Sequence, residues 1–128
     1  MIVDTSAAVA ILRREPDTEA LEETLLGAAR LRMSAASVLE LAMVTGDDAL
    51  VDDFLRQLGI EVLAVDAEHL RWARHAHSHY GRRSGSPARL NYGDCLAYGA
   101  AKATGEPLLF KGEDFGHTDV ARANPASG

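Results

Sequence analysis

The sequence contains few of the features that mark secreted, disulfide-bonded or membrane-spanning proteins. Its 128 residues include one cysteine, Cys95, which excludes a disulfide within the chain. No apolar run approaches the roughly 20 residues that a membrane-spanning helix needs. The amino terminus, Met1 to Asp4, shows neither the basic start nor the long apolar run of an export signal. We therefore expect a cytoplasmic protein without a membrane segment, in which Cys95 is a small buried hydrophobic residue.

Acidic residues are absent from one stretch of a chain that is acidic overall. The formal net charge is −6, yet no Asp or Glu lies between His69 and Gly93. This stretch holds four of the five histidines and five arginines, which are Arg71, Arg74, Arg82, Arg83 and Arg89. Such a segment either binds phosphate groups or forms a solvated surface, and composition does not separate the two.

Composition is that of an ordinary globular protein, with 47% hydrophobic and 25% charged residues. A chain of 128 residues is long enough to bury one continuous core and too short for two. We therefore expect residues 1–128 to form a single domain.

Strand and helix patterns alternate along the chain. Short apolar or β-branched segments predict strands at 1–3, 31–33, 60–65 and 107–110, with a weak fifth at 118–121. Helices are predicted at 7–12, 19–30, 34–45, 47–58, 67–80 and 92–104, and a loop at 81–90. Strands joined through helices require crossover connections. The predicted fold class is α/β, with a central, mainly parallel sheet of four or five strands flanked by helices.

Four carboxylates interrupt apolar segments, and we expect them to form one site. Asp4 and Asp114 follow predicted strands, whereas Glu40 and Asp94 lie in the first part of predicted helices. Ligands of open α/β sheets gather at the carboxyl ends of the strands. Carboxylates that gather there repel one another unless a divalent cation is bound. Each acid also has a simpler interpretation: a helix cap for Asp4 and Asp94, a solvated side chain for Glu40, and a turn for Asp114.

The four acids lie within four short segments, at residues 2–7, 37–41, 90–98 and 107–115. These segments resemble the motifs of PIN-domain ribonucleases of the VapC toxin type. Residues 2–7 resemble the first strand with its acid, and residues 37–41 resemble the helix that carries the second. Residues 90–98, which include Asn91-Tyr92-Gly93-Asp94, resemble the third and most specific motif. Residues 107–115 resemble the region of the fourth acid, although many relatives have a hydroxyl residue at Phe110 and an acid at Gly112. The fourth acid is therefore Asp114, which we prefer, or Glu113.

The resemblance covers the whole chain and implies a PIN-like fold and an endoribonuclease that hydrolyses RNA with Mg²⁺ or Mn²⁺. In this interpretation Asp4 and Asp94 are direct metal ligands, and Asp114 is a direct or water-mediated one. Glu40 would orient or deprotonate the attacking water. The resemblance also implies that the chain is the toxin of a type II toxin–antitoxin pair, is bound by a VapB-type antitoxin, and forms a homodimer.

Residues around the acids receive supporting roles. Thr5 and Ser6 lie at a helix N-terminus, where they would position water or phosphate, and Asn91 lies beside Asp94. The candidates for contact with the RNA backbone, or else with the antitoxin, are Arg82, Arg83 and Arg89.

Three other functions fit parts of the sequence. A catalytically inactive PIN-like binding module would keep the fold, but all four acidic positions are filled. An α/β phosphotransfer protein of the receiver or haloacid dehalogenase kind also has an Asp after a strand and a later lysine, here Lys111, but Ser6 stands where a dehalogenase needs its second Asp. A zinc site at His75 and His79 has helical spacing but lacks the HExxH pattern and further ligands.

Overall fold

A four-stranded parallel sheet lies at the centre of the protein. The computed structural model describes residues 1–123. The strands are β1 (Ile2–Val3), β2 (Arg32–Ser34), β3 (Glu61–Leu63) and β4 (Leu108–Leu109). Their order in the sheet is β3-β2-β1-β4, and every pair is parallel, with Ile2 opposite both Arg32 and Leu108. Because β1 is central, the residue that follows it, Asp4, lies in the middle of the carboxyl edge of the sheet.

Helices connect the strands and cover the sheet. They are α1 (Thr5–Leu12), α2 (Glu19–Leu26), α3 (Ala35–Thr45), α4 (Asp48–Leu58), α5 (Ala67–Tyr80) and α6 (Tyr92–Thr104). A short 3-10 helix, Asp114–His117, follows β4. The predicted α/β class, with a parallel sheet flanked by helices, is confirmed.

Two hydrophobic clusters lie on opposite faces of the sheet. Adjacent residues of a strand point to opposite sides, so Ile2 belongs to one cluster and Val3 to the other. The cluster around Ile2 includes Tyr98 of α6 and the buried Cys95, as expected from the sequence. The cluster around Val3 includes Leu41 of α3. Helices α3 and α6 are thus fixed on the two sides of β1, and each carries one of the predicted acids.

Some predicted boundaries are wrong. Helix α2 ends at Leu26 and not at residue 30, because Gly27 caps it. Strand β3 covers Glu61–Leu63, a shorter segment than the predicted 60–65. Residues 118–121 form no strand, and the described chain has only an isolated bridge between Leu108 and Arg122 there. Side-chain and backbone hydrogen bonds both hold this segment. Thr118 Oγ1 donates to the Phe115 carbonyl at 2.7 Å, Asp119 accepts from the Tyr98 hydroxyl at 2.7 Å, and the Ala121 carbonyl accepts the Leu108 N–H at 2.8 Å.

Within residues 1–123, no helix has the length and apolar character required to cross a membrane.

Candidate active site

The structure places the predicted acids around one cleft at the carboxyl edge of the sheet. The cleft has a volume of about 370 Å³, and its lining includes Asp4, Glu40 and Asp94. Asp114 is not part of this lining, but its charge raises the pKa of Asp94, so its carboxylate lies within electrostatic reach. Acids from three separate parts of the sequence, Asp4, Glu40 and Asp94, therefore line one cleft.

Asp4 is the most buried of these acids, with 3% of its surface exposed. Its backbone N–H donates to the Leu109 carbonyl at 2.9 Å, which fixes it between β1 and β4. Its Oδ2 caps α1 by accepting the backbone N–H of Ser6 at 3.0 Å and the Ser6 hydroxyl at 2.5 Å. Burial raises the pKa of Asp4 to about 7, the Ser6 hydrogen bonds oppose the shift, and the charges of Asp94 and Glu40 add to it. A carboxyl that titrates near neutrality is thus held at the base of the cleft.

Asp94 is at once a helix cap and a cleft residue. Its Oδ2 accepts the backbone N–H of Asn91 at 3.1 Å, and Asn91 Oδ1 accepts the backbone N–H of Asp94 at 2.8 Å, which together form a capping box for α6. Burial raises the pKa of Asp94, with further raising by the charges of Asp114 and Glu40, whereas the Asn91 hydrogen bond and the charge of Arg82 lower it. Asn91 therefore caps α6 and orients one oxygen of Asp94.

Glu40 projects from α3 onto the first turn of α6, where it meets Gly93. A Cβ built on Gly93 would lie 2.9 Å from Cδ and 3.0 Å from Oε1 of Glu40, closer than real Cβ contacts allow. A larger residue at position 93 would therefore force the Glu40 carboxylate to move from this place. Sequence reasoning missed Gly93, although it stands in the Asn-Tyr-Gly-Asp run immediately before the acid.

The two hydroxyl residues at the start of α1 have different surroundings. Thr5 Oγ1 donates to the Ser37 carbonyl of α3 at 3.2 Å, so its hydrogen is used inside the protein to join α1 and α3. Ser6 Oγ lies between two partners, because it donates to Asp4 and accepts the backbone N–H of Lys111 at 3.0 Å. Ser6 therefore connects the acid after β1 to the loop after β4.

The three arginines proposed for RNA contact do not form one group. Arg82 is within electrostatic reach of Asp94, and Arg82 and Arg83 both line a larger groove of about 920 Å³ that also includes Asn91 and Tyr92. Arg89 lines neither this groove nor the acidic cleft, and its backbone has a positive φ of 48°.

The donor set fits a hard divalent cation, because carboxylate oxygens are the ligands that Mg²⁺ and Mn²⁺ prefer. Asp4 is buried, and among residues 1–123 no Lys, Arg or His side chain forms an ion pair with it. Within the described residues, no group of three Asp, Glu, His or Cys side chains has the spacing needed to bind one metal ion.

The histidines considered as zinc ligands lie elsewhere, on α5. The rings of His75 and His79 stack at 4.0 Å, and Nδ1 of His79 contacts the His75 carbonyl oxygen at 3.0 Å. That ring nitrogen is therefore used within the helix.

Comparison with known proteins defines the class to which this fold and cleft belong. The profile of the PIN domain family matches residues 1–121. Ribonuclease VapC42 of Mycobacterium tuberculosis is 48% identical over 129 aligned positions, covering 96% of this chain and 98% of that protein. Ribonuclease VapC28 of the same organism is 46% identical, covering 96% and 97%.

A solved structure supports the fold independently of sequence. A toxin-antitoxin complex from Klebsiella pneumoniae matches with a TM-score of 0.68 at 11% identity, over 89% of this chain and 88% of the matched chain. The chain has a PIN-type fold, and it belongs to the VapC ribonucleases of the PIN-domain family.

Proposed function

We propose that the chain is a metal-dependent endoribonuclease that hydrolyses RNA phosphodiester bonds and is the toxin of a type II toxin–antitoxin pair. The observation that carries this proposal is the buried carboxyl of Asp4, which has Glu40 and Asp94 as charged neighbours and forms no ion pair with any side chain of residues 1–123. Burying an acid without a cation is costly, so such an arrangement is rarely kept for stability alone. The ribonuclease names of the relatives support the same activity.

Asp4 and Asp94 would hold Mg²⁺ or Mn²⁺ directly, and Asp114 would hold it directly or through a water. When bound, the ion would polarise a phosphoryl oxygen and lower the pKa of the attacking water. Ser6 keeps Oδ2 of Asp4 oriented through its two hydrogen bonds, and the Asn91 backbone does the same for Oδ2 of Asp94. The protein thus supplies fixed oxygen ligands on two separate elements.

Glu40 is the proposed general base. Its carboxylate lies against Gly93, next to Asp94, and it is partly exposed to the cleft. It would accept a proton from the attacking water as the water oxygen bonds to phosphorus. The bond between phosphorus and the leaving ribose oxygen then breaks, and that oxygen takes a proton from solvent.

The test is cleavage of a pool of structured RNAs by purified, partner-free protein in Mg²⁺, in Mn²⁺ and in EDTA. Wild type is expected to cleave with either ion, and Asp4→Asn and Asp94→Asn to lose the activity. Asp52→Asn, an exposed acid of α4, is the matched control that should cleave like wild type. Cleavage that persists in EDTA, or in both cleft variants, contradicts the proposal.

The partners are part of the same proposal. Large apolar side chains are exposed on and near α3 and α5, among them Leu39 at 63%, Met43 at 74% and Leu70 at 51%. Exposed apolar patches mark protein contacts, and we assign this face to a homodimer. The antitoxin would instead place a basic side chain among the cleft carboxylates, which a cationic group satisfies. We also propose that the protein is located in the cytoplasm.

Mass measurement in solution tests the dimer. Wild type is expected at twice the chain mass, and Leu39→Glu with Leu70→Glu at the chain mass while the helical circular dichroism signal is retained. A monomeric wild type contradicts the homodimer and leaves the nuclease proposal standing.

A further inference from the structure

Lys111 is a cationic residue inside an otherwise acidic cleft. The ionisable side chains of the lining are Asp4, Glu15, Glu40, Asp94 and Lys111, so Lys111 is the one lysine or arginine that lines this cleft within the described chain. It comes from the loop after β4, whereas Glu40 and Asp94 come from α3 and α6. The lining of the cleft therefore combines one positive charge with four carboxylates.

The backbone of Lys111 is fixed relative to the deepest acid. Its N–H donates to Ser6 Oγ at 3.0 Å, and Ser6 Oγ donates to Asp4 Oδ2 at 2.5 Å. Two hydrogen bonds thus connect the lysine backbone to the carboxyl of Asp4. The lysine side chain starts from an anchored point beside the proposed reaction centre.

The end of the side chain is held much more loosely. Lys111 Nζ lies 3.4 Å from Glu15 Oε2 and 3.3 Å from the Pro16 carbonyl oxygen. Both distances are longer than the usual range for such hydrogen bonds. The side chains of Lys111 and Glu15 are 35% and 34% exposed, and an ion pair with this exposure contributes little stability. A lysine has a flexible stem and three donors, so the ammonium can leave these partners at small cost.

The cleft is negatively charged, and so is an RNA phosphate. Four carboxylates of the lining oppose the entry of an RNA phosphate, and a cation in the same lining offsets part of that repulsion. We propose that Lys111 is a substrate-binding residue whose ammonium moves from Glu15 to a non-bridging oxygen of an RNA phosphate in the cleft. This inference rests on the proposed ribonuclease function and adds a residue that binds the substrate backbone. Lysine is suited to this role, because it contacts phosphate as a mobile point charge.

A purely structural role makes different predictions. If the ion pair only joined the turn after α1 to the loop after β4, removing either partner would have the same effect, and RNA affinity would not change. If Lys111 binds phosphate, only the loss of the lysine weakens RNA binding, whereas the loss of the Glu15 charge leaves binding equal or stronger. The two partners of one ion pair therefore serve as each other's control.

The experiment compares Lys111→Met, Lys111→Arg and Glu15→Gln with wild type on a single-stranded RNA that wild type cleaves. KM and kcat are measured over a range of salt concentrations, and the melting temperature of each variant is recorded. For Lys111→Met we expect kcat/KM to fall roughly 10-fold, mainly through KM. The slope of log KM against log salt should fall by about 0.7, the loss of one phosphate contact on a single strand. Lys111→Arg should recover most of the binding, and Glu15→Gln should show a KM equal to or below that of wild type.

The possible results distinguish a failure of the proposed Lys111 role from a failure of the proposed ribonuclease function. A wild type that cleaves, together with a Lys111→Met variant of unchanged KM and unchanged salt slope, overturns the role of Lys111 and leaves the nuclease intact. Equal losses in Lys111→Met and Glu15→Gln, tracking melting temperature, also overturn it in favour of a structural ion pair. A wild type that cleaves no RNA with either ion refutes the proposed function, and the inference with it.

Discussion

Ser6 directs both of its hydrogen-bond donors at the same oxygen of Asp4. The backbone N–H lies 3.0 Å and the hydroxyl oxygen 2.5 Å from Oδ2, whereas Oδ1 accepts no hydrogen bond from any residue in the described chain. One oxygen of the buried carboxylate is thus oriented by the protein, and the other remains available to a ligand. Both hydrogen bonds favour the charged form of Asp4 and oppose the effect of burial.

Replacing Ser6 by alanine should therefore weaken catalysis through Asp4. The variant loses the hydroxyl donor and the acceptor for the Lys111 N–H but keeps the backbone donor. A hydrogen bond to a charged group is worth about 1.5–3 kcal/mol, so we expect roughly a 10-fold or larger loss of kcat/KM at neutral pH. The pKa of Asp4 should rise, which moves the ascending limb of the pH–rate profile to higher pH.

Ser6→Thr keeps the hydroxyl and should recover much of the activity. Ser78→Ala, an exposed serine of α5, is the control for removal of a hydroxyl elsewhere. An unshifted pH–rate profile in Ser6→Ala would show that the hydroxyl does not tune Asp4.

The raised pKa of Asp4 also predicts how the metal-free protein responds to pH. Between the unfolded value of 3.8 and the folded value of about 7, the folded state binds more protons than the unfolded state. The free energy of unfolding therefore falls as pH rises through this window, by up to roughly 1.4 kcal/mol per pH unit from this group. The measurement is urea denaturation in EDTA at several pH values, for wild type and for Asp4→Asn.

The free energy of unfolding of Asp4→Asn should fall less than that of wild type between acidic and neutral pH. Above pH 7, Asp4→Asn should be more stable than wild type. Adding Mg²⁺ at that pH should stabilise wild type and leave Asp4→Asn nearly unchanged. Parallel stability curves for the two proteins would mean that Asp4 has an ordinary pKa.

The architecture could be predicted from the sequence because its signals are local. Alternation of short apolar strands with capped helices was sufficient to give a parallel sheet, and the glycines after α3 and α4 stand where both helices end, at Gly46 and Gly59. The errors are at segments whose state depends on distant partners. Residues 118–121 have a strand composition, but Asp119 bonds to Tyr98 and Lys102 of α6, and no such partner is visible in a local pattern.

Three of the predicted acids, Asp4, Glu40 and Asp94, line one cleft, and they could be selected because charged residues inside apolar segments are conspicuous. The residues that shape the site could not, since their roles depend on contacts between elements. Gly93 gives room to a side chain of α3, and Lys111 is bound to Ser6 across 105 residues of sequence. Helix capping and a place in the acidic cleft are compatible for Asp4 and Asp94. Each residue uses one carboxylate oxygen in the capping of a helix, and each also lines the cleft.

Gly93→Ala should separate activity from stability. The backbone of Gly93 is helical, and alanine is the better helix former, so the melting temperature should be unchanged or slightly higher. The new methyl group would occupy the space of the Glu40 carboxylate, and we expect cleavage to fall roughly 100-fold if Glu40 is the base. Gly116→Ala, where a Cβ meets nothing within 4 Å, is the control. Full activity in Gly93→Ala would show that the position of Glu40 is not critical.

Asp114 and Glu113 are adjacent, and the charge of Asp114 raises the pKa of Asp94. If Asp114 is the fourth ligand, Asp114→Asn should raise the Mn²⁺ concentration for half-maximal cleavage roughly 10-fold or more, whereas Glu113→Gln should leave it near that of wild type.

Both substitutions remove one negative charge from neighbouring, exposed positions, so a general change in the electrostatic potential of the cleft would affect both variants alike. A difference in metal dependence between them must therefore come from geometry. The reverse order, with Glu113→Gln the more impaired, would assign the fourth position to Glu113. Equal and small effects would mean that Asp4, Glu40 and Asp94 hold the ion without help from this loop.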